Sequence, residues 1–360
     1  MKVALDVNGL YTGQTGVARY LRGLCRGLGR IEHPGIAIEP IAWRVENYGY
    51  RQPERALRTF YREFVWAGLV APRLLRRGRF DLFHSDGGLV PHGLFEPQVE
   101  TLHDLAVFRF PGRFRPWQLH ATRWRLRRIG SARKIICISR FTAEEAHELL
   151  DIPYARMEVI HHGIDALDAL DDVGTPAATL PPLPGTFFLF VGSIEPGKNL
   201  TLLRETYLMA ESKGVTLPPL LIVGARWEGV AREAAPPASW DWRFLGRQSD
   251  AVLGALYRRA EALVFPSKYE GFGLPLLEAM RSGCPVVCGR VASLPEVGGD
   301  AACYADLEPA AFLRAMAGLL AGDPPREEIA ARGRAQAARF TWERCASETV
   351  EVYRAALQAG

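Results

Sequence analysis

No two of the six cysteines are spaced as CxxC, and no Cys/His ladder with zinc spacing appears. Cys25, Cys137, Cys284, Cys288, Cys303 and Cys345 therefore read as reduced, buried thiols of a cytosolic protein. Long apolar runs are also missing, and nothing reaches the roughly 18 residues a membrane span requires. The opening MKVALDVNGL lacks a small-residue cleavage site and reads as a strand rather than a signal peptide. Neither sign of charge dominates. The 44 Lys and Arg stand against 40 Asp and Glu, a net charge of +4, so nothing global calls for nucleic acid. What remains is a cytoplasmic chain whose contact with a membrane, if any, is peripheral on its inner face.

The 360 residues suffice for two domains, and 48% hydrophobic content supplies two cores. Short apolar runs recur, each followed by a glycine-containing turn and a helical pattern. In the first half these are Val3–Val7, Val99–Leu102, Ile135–Ile138 and Met157–Ile160, with a helix after Ser139 capped by Thr142 and a Glu145 capping box. In the second half they are Phe187–Val191, Leu220–Val223, Phe244-Leu245, Leu263–Phe265 and Val286-Val287. Continuous apolar strands alternating with helices predict parallel sheets covered on both faces. The expected architecture is α/β, with two Rossmann-like doubly wound domains facing a cleft. The first is 1–167, joined by a Pro/Asp/Ala-rich linker at 168–184 to a second at 185–341, and a C-terminal helix at about 342–360 returns to the first. Ligands of such sheets sit beyond the carboxyl ends of the strands, where the glycine loops lie.

The densest signal is PSKYEGFGLPLLEAM. Glu270 lies in the loop after a buried strand, and Gly271 and Gly273 let the backbone turn tightly toward a ligand. Pro275 suits the first turn of a helix that carries Glu278. The amides of Phe272, Gly273 and Leu274 would emerge from that helix N-terminus, which favours an anion such as a sugar-diphosphate. Carboxylates accept bidentately from vicinal diols, so Glu270 suits sugar hydroxyls and Glu278 a ribose. An isolated pair of this spacing is more often a capped helix with a surface Glu.

With these residues the chain resembles the retaining family-4 glycosyltransferases of GT-B fold, through their Glu-x7-Glu signature. SGCPVV, SLPEVGGDAA and the late FTWERCASETVEVYRAAL follow in family order, and TLHDLAVFRFP resembles the His-Asp loop of bacterial polysaccharide (O-antigen or capsule type) mannosyltransferases. The resemblance implies front-face transfer with retention and no metal: a leaving-group phosphate takes the acceptor proton. It also implies roles: catalytic His103, Asp104 and Glu270; donor-binding Gly16, Gly192, Ser193, Lys198, Arg226, Arg247, Phe272, Gly273, Leu274 and Glu278. Lys198 is the main cation for the diphosphate. The Arg that family members usually carry beside it, near Ser193 or Gly197, is absent, and Arg226 stands first to replace it, ahead of Lys268 and Arg290.

From Arg109 to Lys134 lie nine basic residues and no acidic one; residues 51–80 add eight Arg against Glu54 and Glu63. Phe64, Trp66, Leu69, Phe114, Trp117 and Trp124 are interleaved with them. That pattern suits an anionic membrane surface or a lipid-diphosphate acceptor, with Arg19, Arg123 and Arg127 on the acceptor side. An ordinary solvated Arg-rich face is the plain alternative. The function expected is hexosyl transfer, best mannose from GDP-mannose, to a glycan or lipid-linked glycan. UDP- or dTDP-linked glucosyl, N-acetylglucosaminyl and rhamnosyl donors, a GT-B epimerase or phosphorylase, and a non-catalytic nucleotide-sugar-binding partner stay open.

Overall fold

The computed structural model describes residues 1–12, 16–42, 61–86, 94–113, 116–165, 167, 182–226 and 236–358. Gly13, Gln14, Thr15, Phe114, Arg115 and most of the expected linker lie outside them. The chain divides into two compact units. One is Met1–Arg109 with Pro116–Gly163 and Thr341–Gly360; the other is Phe110–Arg115 with Ile164–Phe340.

The first unit is built on strands β1 (Lys2–Asp6), β2 (Ala37–Ile41), β3 (Leu82–Asp86), β4 (Gln98–Leu102), β5 (Lys134–Cys137) and β6 (Met157–Val159). They pair in the order β2-β1-β3-β4-β5-β6, and every pairing is parallel. β2 and β3 were not legible as strands: Glu39 and Pro40 interrupt AIEPI, and LFHSD turns polar after its first two residues. β3 is nonetheless central, and His84 and Ser85 are buried in it.

The helix Gly16–Arg30 and the C-terminal helix Trp342–Gln358 pack together over this sheet in one core. Close approach explains three glycines. A Cβ on Gly23 would lie 2.0 Å from the Trp342 ring, one on Gly27 2.2 Å from the Trp342 carbonyl, and one on Gly163 2.3 Å from the Trp342 amide. After β5, the cap of the helix Arg140–Leu150 is Ser139 rather than Thr142. Its hydroxyl accepts the Thr142 N–H at 3.1 Å, the usual arrangement three residues into a helix. Glu145 does not close a capping box; it accepts the Arg109 guanidinium at 2.7 Å.

The second unit holds β7 (Phe188–Val191), β8 (Leu220–Val223), β9 (Trp242–Gly246), β10 (Ala262–Phe265), β11 (Val286–Gly289) and β12 (Cys303–Ala305), paired in parallel in the order β12-β11-β10-β7-β8-β9. FLFV, LLIV, ALVF and VVCG are buried throughout, which is why their apolar runs do not alternate.

Candidate active site

The order β10-β7-β8-β9 lines up the loops after these strands at one edge of the sheet. Gly192, Gly224 and Gly246 follow β7 and β8 or end β9. The Gly192 N–H donates to Val223 and the Gly224 N–H to Gly246 at 2.8 Å. A Cβ on Gly224, whose φ is +146°, would lie 1.8 Å from the Gly192 carbonyl, so only glycine lets these loops run together.

Lys198 and Glu270 are 72 residues apart in sequence, yet Lys198 Nζ lies 2.5 Å from Glu270 Oε1. Adjacency of β7 and β10 brings their loops side by side. Two bonds then fasten the loops: the Lys268 N–H donates to Gly197 at 2.9 Å and the Asn199 side-chain amide to Pro266 at 3.2 Å. Lys198 does not open a helix directly. It ends a single 3-10 turn, Pro196–Lys198, held by the buried Glu195 carboxylate accepting the Gly197 N–H, and Asn199 turns left-handed before the helix Leu200–Ser212. Both members of the ion pair keep a small exposed face, 15% for Lys198 and 11% for Glu270. The pair is therefore reachable by a ligand while shielded from most water.

Ser293, buried and absent from the sequence-based set, donates toward the carbonyls of Glu270 and Phe272, each at 2.9 Å, and so sets the curvature of this loop. Gly273, with φ +101°, leads into the helix Leu274–Arg281, whose first turn carries Pro275 and no side-chain cap. Phe272 is buried with its ring edge-on to Phe340. Glu278 has a different setting from Glu270: it is 2% exposed and accepts the Tyr257 hydroxyl at 3.1 Å. Arg226 is exposed and its backbone bridges to Ile194, beside Ser193. Arg247 and Lys268 are exposed as well, and Arg290 stacks on Tyr304 at 4.5 Å.

The first unit has its own cluster at the carboxyl ends of β3 and β4. Alternation along these strands puts His84 and Asp86 on one face with Thr101 and, just past the strand, His103. His103 Nε2 lies 2.6 Å from Asp86 Oδ1. Its neighbour Asp104 accepts the Ala106 N–H at 3.0 Å, at the start of a short helix Ala106–Arg109. The partner of His103 was missed because β3 was. Behind them runs a buried chain: Tyr353 Oη to His84 Nδ1 at 2.7 Å, His84 Nε2 to Thr101 Oγ1 at 2.8 Å, and Thr101 Oγ1 to Tyr20 Oη at 2.9 Å. Tyr20 meets His103 edge-on with ring centroids 5.0 Å apart and stacks on His162 at 4.8 Å.

Environment separates the three histidines. Burial opposes charge on His103, but the charge and hydrogen bond of Asp86, with help from Asp104, hold its pKa above the usual histidine value. Burial lowers His84 to about 4, with Asp86 opposing and His103 assisting. Burial, then the charges of His103 and His161, pull His162 well below its ordinary value. Because the folded pKa of His84 is depressed, its contribution to stability is complete above pH 6.5 and is lost as pH falls toward 4, about 3 kcal/mol in all. Urea titrations should show this acid loss in the wild type and a shallower one in His84→Gln. Parallel curves would contradict the assignment.

On the basic side, Trp66 is a core residue at 3% exposure, because it packs with Leu75, Phe83 and Phe95 rather than facing outward. Arg123 spends its guanidinium on the Val107 carbonyl, at 3.1 and 3.3 Å. Arg127 and Arg128 are exposed on the helix Pro116–Ile129, where Arg128 stacks on Trp124, itself 55% exposed. Arg19 is half-buried and Gly16, exposed, begins its helix; the side chains of Phe64 and Trp117 are not described.

Comparison with known proteins gives the family and the fold of the chain. The Glycosyltransferase Family 4 profile matches residues 14–166, and the Glycosyl transferases group 1 profile matches residues 185–322. O-antigen chain mannosyltransferase B of Escherichia coli is 34% identical over 292 residues, covering 76% of this chain and 74% of that protein. Serotype-specific mannosyltransferase WbdA of Escherichia coli is 28% identical over 90% of this chain, which spans only 41% of that protein. Glycogen synthase of Mycobacterium tuberculosis is 32% identical over 78% of this chain and 70% of its own. Among solved structures, sucrose-phosphate synthase of Thermosynechococcus elongatus superposes with a TM-score of 0.71 over the full length of both chains at 18% identity. WaaG, a glycosyltransferase involved in lipopolysaccharide biosynthesis, does so at 0.65 over 97% of this chain and 99% of its own, at 16% identity. Likeness at that identity concerns the fold, here the two-sheet GT-B fold.

Proposed function

This chain belongs to the family 4 (group 1) glycosyltransferases, and we propose that it transfers mannose from GDP-mannose, with retention, to a hydroxyl of a growing surface glycan. The carrying observation for the chemistry is the shielded Lys198–Glu270 pair. The sugar rests on likeness to O-antigen chain mannosyltransferase B.

In this reading the donor separates the pair. Its diphosphate takes the Lys198 ammonium, and Glu270 turns to the hydroxyls of the transferring sugar, so each charge exchanges one partner for another. Arg226, carried beside Ser193 by the Ile194 bridge, is the second cation. Glu278 reaches the ribose by giving up the Tyr257 hydroxyl. The leaving diphosphate accepts the proton of the attacking hydroxyl on the same face of the sugar, so no strong protein base is needed. The protein contributes position and electrostatic stabilisation of the departing anion. With Lys198 and Arg226 carrying the positive charge, transfer is expected to survive EDTA.

A panel of GDP-, UDP- and dTDP-sugars read by thermal shift tests the donor, because a ligand bound only by the native state raises its stability. GDP-mannose should raise the midpoint most, and the gain should shrink in Arg226→Ala. A larger shift with a UDP- or dTDP-sugar would replace mannose by another hexose. That second reading draws on the 32% likeness to glycogen synthase.

For the acceptor side we assign the exposed Arg127, Arg128 and Trp124 to an anionic membrane surface presenting a lipid-diphosphate-linked glycan. Among the described residues no helix is long and apolar enough to cross a membrane. Binding to anionic vesicles should fall steeply with salt and weaken in Trp124→Ala. Equal binding to neutral vesicles would contradict the assignment.

A further inference from the structure

We propose that Asp86 is a positioning residue for transfer: it anchors His103 through Nε2 and thereby presents Nδ1 as the nitrogen that meets a sugar hydroxyl. The inference rests on the transferase reading and adds a residue outside the sequence-derived set. Its geometry comes from the sheet. Asp86 and Thr101 are register partners on β3 and β4, and His103 lies two residues beyond Thr101, so the pleat aims Asp86 and His103 to the same side. The resulting contact is 2.6 Å, with Asp86 only 6% exposed and His103 16% exposed. A carboxylate is acceptor-only when ionised, so His103 Nε2 must be the protonated nitrogen. Among the described residues Nδ1 has no hydrogen-bond partner and is not sealed from solvent. It is therefore an acceptor for a hydroxyl when His103 is neutral.

The surroundings fix the ring further. Tyr20 presses on it edge-on at 5.0 Å and His162 at 5.7 Å, and Tyr20 is itself fixed through Thr101, His84 and Tyr353. Among the described residues, the charged and titratable groups facing His103 are Asp86 and His84 on β3, Tyr20 on the helix Gly16–Arg30, His162 after β6, and Asp104 on its own loop. Asp86 is the one that bonds the ring. This second-layer carboxylate sets tautomer and orientation, as a carboxylate does for other functional histidines.

The experiment pairs a substrate-free readout with kinetics. In protein labelled with 15N-histidine and free of nucleotide-sugar, His103 should be Nε2-protonated in its neutral form. In Asp86→Asn, its pKa should fall, because the charge and hydrogen bond that raise it are removed. In turnover, Asp86→Asn should lower kcat by about tenfold to a hundredfold while donor KM stays within about twofold. The acidic limb of its pH profile should move to lower pH, and Asp86→Glu should restore part of the rate. A His103 tautomer and pKa indifferent to Asp86 would overturn the anchoring, and an unchanged kcat with a shifted pKa would overturn the positioning role. If no nucleotide-sugar is turned over at all, the transferase reading fails, while the titration still decides whether Asp86 anchors His103. Because Asn matches Asp in size, an unchanged thermal midpoint separates these effects from misfolding.

Discussion

Replacing Lys198 by Ala is expected to lower kcat/KM for the nucleotide-sugar by about a hundredfold to a thousandfold, the usual consequence of removing one preorganised donor from a developing anion. Two losses combine. The departing diphosphate loses its nearest cation, and Glu270, 11% exposed, loses the partner that neutralises it. The second loss makes a diagnostic double variant possible. Lys198→Ala alone leaves an uncompensated, largely buried carboxylate, whereas Lys198→Ala with Glu270→Gln removes both charges. The double variant should therefore be more stable to heat than Lys198→Ala, although neither transfers sugar well. Arg226→Ala should fall between wild type and Lys198→Ala in donor affinity, since Arg226 is exposed and more screened. Full donor affinity and turnover in Lys198→Ala would remove the diphosphate from this loop.

The largest expected loss of stability comes from Trp342→Ala, about 3–5 kcal/mol by equilibrium urea unfolding. Trp342 is 3% exposed and begins the C-terminal helix, where its ring occupies space kept open by Gly23. Its centroid is 6.0 Å from that of His162 and 6.4 Å from that of Tyr20. Truncation would leave a cavity lined by groups too rigid to collapse, since the three glycines have no side chains to fill it. The reciprocal change, Gly23→Ala, should destabilise for the opposite reason, by driving a methyl into the indole. A loss under about 1 kcal/mol for Trp342→Ala would mean that the helix is held mainly elsewhere. Because Tyr20 and His162 both touch His103, this variant should also slow transfer.

Several features were legible in the order of residues. FLFV, LLIV, ALVF and VVCG are continuous apolar runs because both faces of their sheet are covered, and Gly192 and Gly224 mark the ends of the first two. The pairing of a loop glutamate at 270 with a helical one at 278 was visible too, since both belong to one short segment. The Thr142 capping box was not upheld, because Ser139 offers the same hydroxyl one turn earlier and Arg109 claims Glu145.

What the linear chain could not supply is everything fixed by strand order. LFHSD is polar enough to pass for a loop, and only its insertion between β1 and β4 makes it a central strand that sets Asp86 against His103 and His84 against Thr101. Tyr353 reaches His84 from 269 residues away, and Lys198 reaches Glu270 from 72. By itself the sequence determined the α/β architecture and the segment holding Glu270, because periodicity and turn chemistry are local. Tertiary structure alone decided that Glu270 is held by Lys198, that Asp86 rather than Asp104 holds His103, and that Glu278 and Trp66 face inward. Each of those outcomes depends on which strands and helices become neighbours, and sequence spacing carries no record of that.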